Sequence, residues 1–574
     1  MLILGINAYH GDSSACLVVD GKLVCAIEEE RIRRIKHWAG LPIESIKWCM
    51  EYAGLEINDI DHIAVSRNPS AHLHKKILRV VKNTPKLGFL RNRLQNASKI
   101  KDIKTSIAEG LGIHPSRIKA RVHNVEHHRA HLASTYFVSP FDKALCVSVD
   151  GFGDFLSAMR GKGEGNKIHL FDWVEYPHSL GIFYTAFTQF LGFWKYGDEY
   201  KVMGLSAFGE PNYLNEMKKI VRLKDNGLFE LDTSFFLHDK EGVDMLWEDG
   251  IPALGRIFSD KLVGTFGKPR EKAEEVTRHH QDIAASMQAM YEDAFFHMLN
   301  DTYQKTGIDK MTLAGGCIQN SLANGKIFEK TPFKELYIPP ASHDGGTAVG
   351  AAFWVWDMVL KKNRDFVMTS PYWGPEFTEA EIEELLTREN VKYDKLDDFE
   401  LFKRTANDIA DGKIVGWFQG RSEWGPRALG NRSILVDPRR KEMKDILNER
   451  IKRRENFRPF APSVLEDFAH EWFEQSSPVP FMEKVYAIRP EKRKFISAVV
   501  HVDGTGRLQT VSRELNPKYY RLIEEFYRQT KVPVVLNTSF NENEPIVNAP
   551  LDALQCYSRA NMDVLVMGNF YVRN

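Results

Sequence analysis

Leu2-Ile-Leu-Gly-Ile-Asn-Ala-Tyr-His-Gly-Asp-Ser-Ser-Ala-Cys-Leu-Val-Val-Asp-Gly-Lys-Leu-Val-Cys-Ala-Ile27 opens the chain with three apolar runs, 2–6, 15–19 and 23–27. Asp20-Gly21 between the last two is a hairpin signal, because a two-residue turn needs positive φ values that Asp and Gly tolerate. The spacer 7–14 is small and polar, which lets backbone approach a ligand. The same order returns at 144–149, Asp150-Gly-Phe-Gly-Asp154, 155–160, 161–166 and 167–171. Strand, Gly/Asp/Ser loop, strand, turn and strand thus occur twice. In an α/β chain that repeat reads as a duplicated nucleotide- or phosphate-handling unit. Two unrelated β-meanders fit the pattern equally well.

Outward from these segments the chain alternates helix and strand. Residues 43–53 are amphipathic, and 275–306 form a long Ala/Met/Phe/Leu-rich helix or helix pair. A strand at 311–313 runs into Gly315-Gly316-Cys317-Ile318-Gln319-Asn320, with a helix expected from about Ser321. A glycine pair between strand and helix lets backbone amides point at an anion near a helix N-terminus. Such pairs are more often plain tight turns. Polar and loop-like sequence at 361–375 predicts a boundary, giving domains 1–362 and 363–574. The second domain is again α/β, with an acidic helix at 378–389 and strands at 414–418, 498–502 and 532–536.

The chain has 574 residues, 77 basic against 77 acidic side chains and 43% hydrophobic content, which excludes disordered, collagenous and coiled-coil classes. Zero net charge gives no global attraction to nucleic acid or anionic lipid. The scattered cysteines (Cys16, Cys25, Cys49, Cys146, Cys317, Cys556) suit buried free thiols rather than a disulfide framework. No leader pattern and no span-length apolar run is present, so a cytoplasmic protein without a membrane partner is expected.

His127 and His131 stand four apart in Glu126-His-His-Arg-Ala-His-Leu-Ala-Ser134, a spacing that puts both imidazoles on one helix face, as in two-histidine metal sites. A capped, partly exposed helix start is the competing explanation. Asp344, in Ser342-His343-Asp344-Gly345-Gly346, is the candidate third ligand. Two imidazoles and a carboxylate suit Fe(II) or another divalent ion. His128 and His343 are expected to support the site or lie at the surface. Further on, Gly420-Arg-Ser-Glu-Trp-Gly-Pro-Arg-Ala-Leu-Gly-Asn-Arg-Ser433 and Lys452-Arg-Arg-Glu-Asn-Phe-Arg458 crowd cations among Gly, Pro and aromatic residues. Guanidinium forks chelate phosphate oxygens, so Arg421, Arg427, Arg432, Lys452, Arg453 and Arg458 mark an anion pocket. Asn537-Thr-Ser-Phe-Asn541 adds short donors at a strand end. Ten Lys/Arg between Lys75 and Lys104, with only Phe89 interleaved, read as a solvated helical insertion rather than a nucleic-acid surface.

In this order the segments resemble the NodU/CmcH-type family of ATP-dependent O-carbamoyltransferases over nearly the whole chain. The likeness rests on His10-Gly-Asp-Ser-Ser-Ala15, Glu28-Glu-Glu-Arg31, Lys36-His37, the His127/His131 pair, Asp150-Gly-Phe-Gly-Asp154 and Asp344-Gly-Gly. It continues with Gly425-Pro-Arg-Ala-Leu-Gly-Asn-Arg-Ser433, Phe457-Arg-Pro-Phe-Ala-Pro462, His501-Val-Asp-Gly-Thr505 and Asn537-Thr-Ser-Phe-Asn541. The resemblance implies a duplicated actin/hexokinase-like (ASKHA) N-terminal domain and a YrdC-like α/β C-terminal domain. It implies that carbamoyl phosphate and ATP form carbamoyl-AMP in the latter, and that the carbamoyl group passes in the former to a hydroxyl of a small-molecule acceptor, releasing AMP.

By the same resemblance, the six cations named above hold carbamoyl phosphate and ATP phosphates together with Mg2+. Gly151, Gly153, Gly315, Gly316, Asn320, Ser539 and Asn541 approach the nucleotide, and His127, His131 and Asp344 hold the metal. His10, with Asp12 as rival, deprotonates the acceptor, since an alcohol is a poor nucleophile near neutral pH. Lys36 or the metal assists at the carbamoyl oxygen. Gly11 between His10 and Asp12 departs from the His-Asp-Ser form of many relatives. A homodimer, and no nucleic-acid partner, complete the expectations. The competing readings are a tRNA-modifying threonylcarbamoyl transferase and an actin-like nucleotide-binding protein without turnover. Acceptor specificity is expected in the 75–104 stretch and in 232–255.

Overall fold

The computed structural model describes residues 1–76, 79, 100, 102–242, 245–248, 250–475 and 477–573. Most of the basic 75–104 stretch lies outside these residues. The chain divides into two compact units, 1–320 with 326–368, and 369–574 with Ser321–Gly325.

In the first unit β1 (Leu2–Asn7), β2 (Ser14–Val19) and β3 (Lys22–Glu28) form an antiparallel meander, joined by a turn in which Asp20 and Gly21 both have positive φ. Helix α1 (Ile43–Ala53), ended by a left-handed Gly54, leads to β4 (His62–Val65), and β5 (Arg121–Asn124) follows. Sheet order is β3-β2-β1-β4-β5, with β1, β4 and β5 parallel. Near-continuous apolar runs suit β1 and β2 because both faces are covered. Helix α2 (His127–Tyr136) follows in sequence but crosses to pack on the second sheet of this unit.

The second half-unit repeats the pattern. β6 (Lys143–Gly153), β7 (Leu156–Glu164) and β8 (Lys167–Glu175) form the meander, followed by helix α3 (Leu180–Phe190). Helix α4 (Arg278–Thr306) is a single element starting behind Thr277, three residues later than expected. β9 (Lys310–Ala314) and β10 (Glu335–Tyr337) complete the order β8-β7-β6-β9-β10, with β6, β9 and β10 parallel. The two sheets share strand order and direction, so the sequence repeat is a structural duplication and not a pair of unrelated meanders. Helix α5 (Thr347–Trp354), apolar and buried all round, packs back on β1, β2 and β4, as α2 packs on β6, β7 and β9, so the repeats exchange their last helices. A Cβ at Gly350 would lie 1.8 Å from Ala130 O, so only glycine permits this approach of α5 to α2.

The second unit is built on a nine-stranded mixed sheet. Its strands are β11 (Asp394–Lys395), β12 (Val415–Phe418), β13 (Arg432–Val436), β14 (Ala461–Leu465), β15 (Lys484–Ala487), β16 (Thr505–Val511), β17 (Val534–Ser539), β18 (Val564–Met567) and β19 (Phe570–Arg573). They run in the order β11-β19-β18-β12-β13-β17-β14-β16-β15. Helices α6 (Asp398–Ala410) and α7 (Pro517–Thr530) cover it, burying Leu401, Phe402, Leu522, Ile523 and Phe526 in its core.

One expectation fails locally, and the helix expected from Ser321 forms but is short. Residues 498–502 are not a strand: Ser497–Val499 is a 3₁₀ turn, and the ladder resumes at Thr505 after the His501–Gly504 turn. A five-residue apolar run carries no periodicity that separates these outcomes. After Gly315, a 3₁₀ turn Gly316–Gln319 intervenes, and the helix at Ser321 ends at Gly325. All six cysteines are unpaired, and among the described residues no helix is long and apolar enough to cross a membrane.

Candidate metal centre and cationic pocket

The centre lies where the two half-units of the first unit meet. Glu126 caps α2, its carboxylate accepting from the backbone N–H of His128 and Arg129, so the helix starts at His127 and points His127 and His131 the same way. Their Nε2 atoms converge to 3.0 Å. Asp150, on β6, places Oδ2 3.1 Å from His127 Nε2 and 3.6 Å from His131 Nε2. Asp344, in the turn before α5, places Oδ1 3.2 Å from His131 Nε2 and 3.5 Å from His127 Nε2. Donor atoms of all four residues lie within 4.8 Å of one another, and all four are buried.

Each carboxylate uses its second oxygen to hold its orientation. Asp150 Oδ1 accepts from Gly316 N at 2.7 Å, and Asp344 Oδ2 lies 2.7 Å from His10 Nδ1. Burial pushes both carboxyls up, but the surrounding imidazoles outweigh it and hold them well below the usual carboxylate range. Burial likewise pulls His127 down, yet Asp150 and Asp344 raise it well above an ordinary imidazole. Burial together with His127 and His131 keeps His128 at about 3, neutral, with Nδ1 on Ser148 Oγ at 2.8 Å. Two imidazoles and two carboxylates converging in a buried seam fit a divalent transition ion.

Asp150 is the candidate ligand that spacing did not identify; its signal was the strand-end Asp150-Gly-Phe-Gly-Asp154 motif. The neighbouring glycines serve the centre sterically. A Cβ at Gly153 would sit 1.9 Å from the His127 ring, and one at Gly315 (φ +103°) 2.1 Å from Val149 O. Gly151 packs under Gly181 of α3. Asn320 pairs reciprocally with Gln288 through their side-chain amides. His128 and His343 are buried, not superficial. Asp12 is buried against His37, and Lys36 is exposed on its loop.

In the second unit Glu423 organises the arginine motif, accepting from the backbone N–H of Leu429, Asn431 and Arg432. Arg421 donates to Trp373 O and Gly374 O. Arg427 and Arg458 face Arg507, on β16, together with Arg454. Burial and these three cations pull Arg507 well below the usual guanidinium range, and its Nε is buried without a hydrogen-bond partner. Arg507 was not predicted, because strand alternation gives a lone arginine no motif.

Lys452 is buried, donating to Ser539 O, Asn541 O and Asn541 Oδ1, and Ser539 Oγ donates to Asn541 Oδ1 at 2.8 Å. These three residues therefore form one network. Two predicted arms behave otherwise. Arg432 is fully buried under Phe418, donating to Gln419 O, Gly420 O, Asn431 O and Pro375 O, so it braces the loop. Arg453, 60% exposed, pairs with Glu542 at the surface.

The chain matches the family models carbamoyltransferase N-terminus over residues 2–353 and carbamoyltransferase C-terminus over 406–574. It belongs to the carbamoyltransferase family and is an enzyme of that family. An uncharacterised protein of Synechocystis sp. is 37% identical, covering 99% of this chain and 96% of its own. Nodulation protein NolNO of Sinorhizobium fredii is 36% identical, covering 99% and 79%, and nodulation protein U of the same organism is 27% identical, covering 94% and 94%. Full-length HypF in its phosphate- and nucleotide-bound form shares 15% identity at a TM-score of 0.31, covering 63% of this chain and 56% of that one, too remote to carry an assignment.

Proposed function

We propose that the enzyme is an ATP-dependent O-carbamoyltransferase, with an ASKHA-type first unit that transfers and a YrdC-like second unit that activates. Carbamoyl phosphate, water and ATP give carbamoyl-AMP, phosphate and pyrophosphate; a small-molecule hydroxyl then takes the carbamoyl group and AMP leaves.

The observation that carries this reading is the separation of two chemistries in a carbamoyltransferase chain. A mixed imidazole–carboxylate centre is buried in one unit, and a mutually repelling arginine group in the other. Cations gathered around a half-buried guanidinium whose Nε is buried without a partner are favoured by anionic oxygens, which suits substrates as highly charged as carbamoyl phosphate and ATP with Mg2+. Arg421, Arg427, Arg458 and Arg507 bind those oxygens in this reading. Lys452, Ser539 and Asn541 shape the loop that meets the nucleotide. In the first unit His127, His131, Asp150 and Asp344 hold a divalent ion, Fe(II) or another, whose Lewis acidity lowers the charge on the adenylate's oxygens. His10 orients Asp344. Gly151, Gly315, Gly316 and Asn320 shape the loops where AMP departs.

Purified protein given ATP, Mg2+ and carbamoyl phosphate should release pyrophosphate without an acceptor, and carbamoyl-AMP should be visible by mass spectrometry. Arg427→Ala and Arg507→Ala should abolish that release, whereas His131→Ala should keep it and lose transfer. Absence of pyrophosphate from the unmodified protein refutes the reading.

A further inference from the structure

A hydroxyl that accepts a carbamoyl group must shed its proton, and the two residues singled out for that task are not equally free to take it. His10 has Nδ1 2.7 Å from Asp344 Oδ2, an ion-pair contact outside hydrogen-bond geometry, and Nε2 3.3 Å from Phe152 O, so its ring stands against a candidate metal ligand. Asp12 is buried, with Oδ1 2.7 Å from His37 Nδ1. The His37 side chain is 33% exposed, and its Nε2 edge borders Gly197, which has no side chain to cover it.

From this geometry, and resting on the carbamoyl-transfer reading above, we infer that Asp12 and His37 form a general-base dyad in which His37 Nε2 receives the acceptor's proton and Asp12 holds the ring. In the step, the acceptor O–H bond breaks and its proton goes to Nε2. The hydroxyl oxygen bonds to the carbamoyl carbon, and the bond from that carbon to the adenylate oxygen breaks with its electron pair leaving on AMP.

Three further features support the dyad. The loops carrying it are sewn together by Ser13 N–H to Trp38 O (2.8 Å), Tyr9 N–H to Gly40 O (3.0 Å) and Ser13 Oγ to Gly40 O (2.8 Å). The His37 backbone N–H donates to Glu30 Oε2 at 2.7 Å, which fixes the loop that presents the ring. Gly197 lies against Nε2: a Cβ there would come within 2.4 Å of that nitrogen and cover it. The dyad also borders the metal centre. Asp12 Oδ2 is 3.9 Å from Nε2 of His343, the residue preceding the ligand Asp344. Charged groups facing His37 are Asp12, Glu30, Lys36 and Glu199. A carboxylate on Nδ1 fixes the tautomer with Nε2 as acceptor, the arrangement a positioned imidazole base needs.

The test compares nucleophiles. Glycerol needs a base, whereas hydroxylamine attacks through an uncharged nitrogen and does not. With ATP, Mg2+ and carbamoyl phosphate present, His37→Gln should lower carbamoylation of glycerol at least 100-fold more than that of hydroxylamine. Asp12→Asn, which keeps a side chain tolerant of the positive φ at that position (55°), should shift the same ratio in the same direction. Gly197→Ala leaves both dyad side chains in the sequence but crowds Nε2 directly, and should also depress glycerol selectively; because Gly197 has φ +83°, pyrophosphate release checks that the variant is folded. Pyrophosphate release separates the outcomes: its absence in the unmodified protein refutes the activation reading itself. If it persists, the dyad is overturned by equal loss of both nucleophiles in His37→Gln, by unimpaired glycerol transfer, or by an unmodified enzyme that carbamoylates hydroxylamine but not glycerol.

Discussion

Gly153→Ala should empty the metal centre while leaving every ligand in the sequence. The added Cβ would lie 1.9 Å from His127 Cδ2 and 2.1 Å from Cγ, against an ordinary contact of 3.4 Å or more. The imidazole must therefore retreat by roughly 1.5 Å, several times the ~0.2 Å by which metal–ligand distances vary. Backbone cannot yield instead without disturbing Asp154, whose Oδ2 accepts from both His127 N and Asn68 N. One of four donors is lost, and a loss of about 100-fold in affinity, ~2.8 kcal/mol, is expected. Overpacking adds about 1–3 kcal/mol of destabilisation without metal. The assay is competition with a calibrated chelator for Zn2+ or Mn2+, alongside urea denaturation of the metal-free proteins. Gly151→Ala is the control, because a Cβ there meets nothing within 4 Å. If Gly153→Ala binds metal as tightly as Gly151→Ala, the proposed placement of His127 is wrong.

Three other outcomes follow from the same coordinates. Arg432→Ala should cost about 3–5 kcal/mol in denaturant unfolding, since it strips a buried guanidinium from the carbonyls it bridges; a loss under 1 kcal/mol would make it a ligand arm after all. Burial pushes the Asp357 carboxyl up to about 8, with Arg364 opposing, and neither oxygen has a hydrogen-bond partner. Between about pH 4 and 8 the unfolded chain has released this proton and the folded one keeps it, so stability falls as pH rises, and Asp357→Asn should flatten that slope in melts across the range. Adding the cognate divalent ion at 100 times its Kd should stabilise the protein by about 2.7 kcal/mol, and the gain should vanish in His131→Ala.

The strands of both meanders were legible because apolar runs were bounded by Asp20-Gly21 and the glycine-rich 161–166, although β7 runs on through Glu164 and leaves only Gly165-Asn166 to turn. What made the repeat a duplication was the parallel pairing of β4 and β5 with β1 and of β9 and β10 with β6, which no single run encodes. His127 and His131 were legible because helical spacing alone puts them together. Asp150 was not, since its approach depends on where β6 ends relative to α2, a distance set by packing. Arg432 and Arg453 show the converse limit. A cationic motif predicts attraction to anions, but the turn decides which guanidinium meets carbonyls and which meets solvent. Lys36 and His37 are adjacent, and only the fold turns the second toward Asp12.

Each repeat lends its last helix to the other sheet: α2, with both imidazoles, lies on β6, β7 and β9 beside Asp150, while α5, which starts just after Asp344, lies on β1, β2 and β4. An ion held by these four residues would pin the exchanged helices together at their starts. Parting those starts by an ångström would break coordination long before either core loosened, so occupancy would gauge how firmly the exchanged helices are seated.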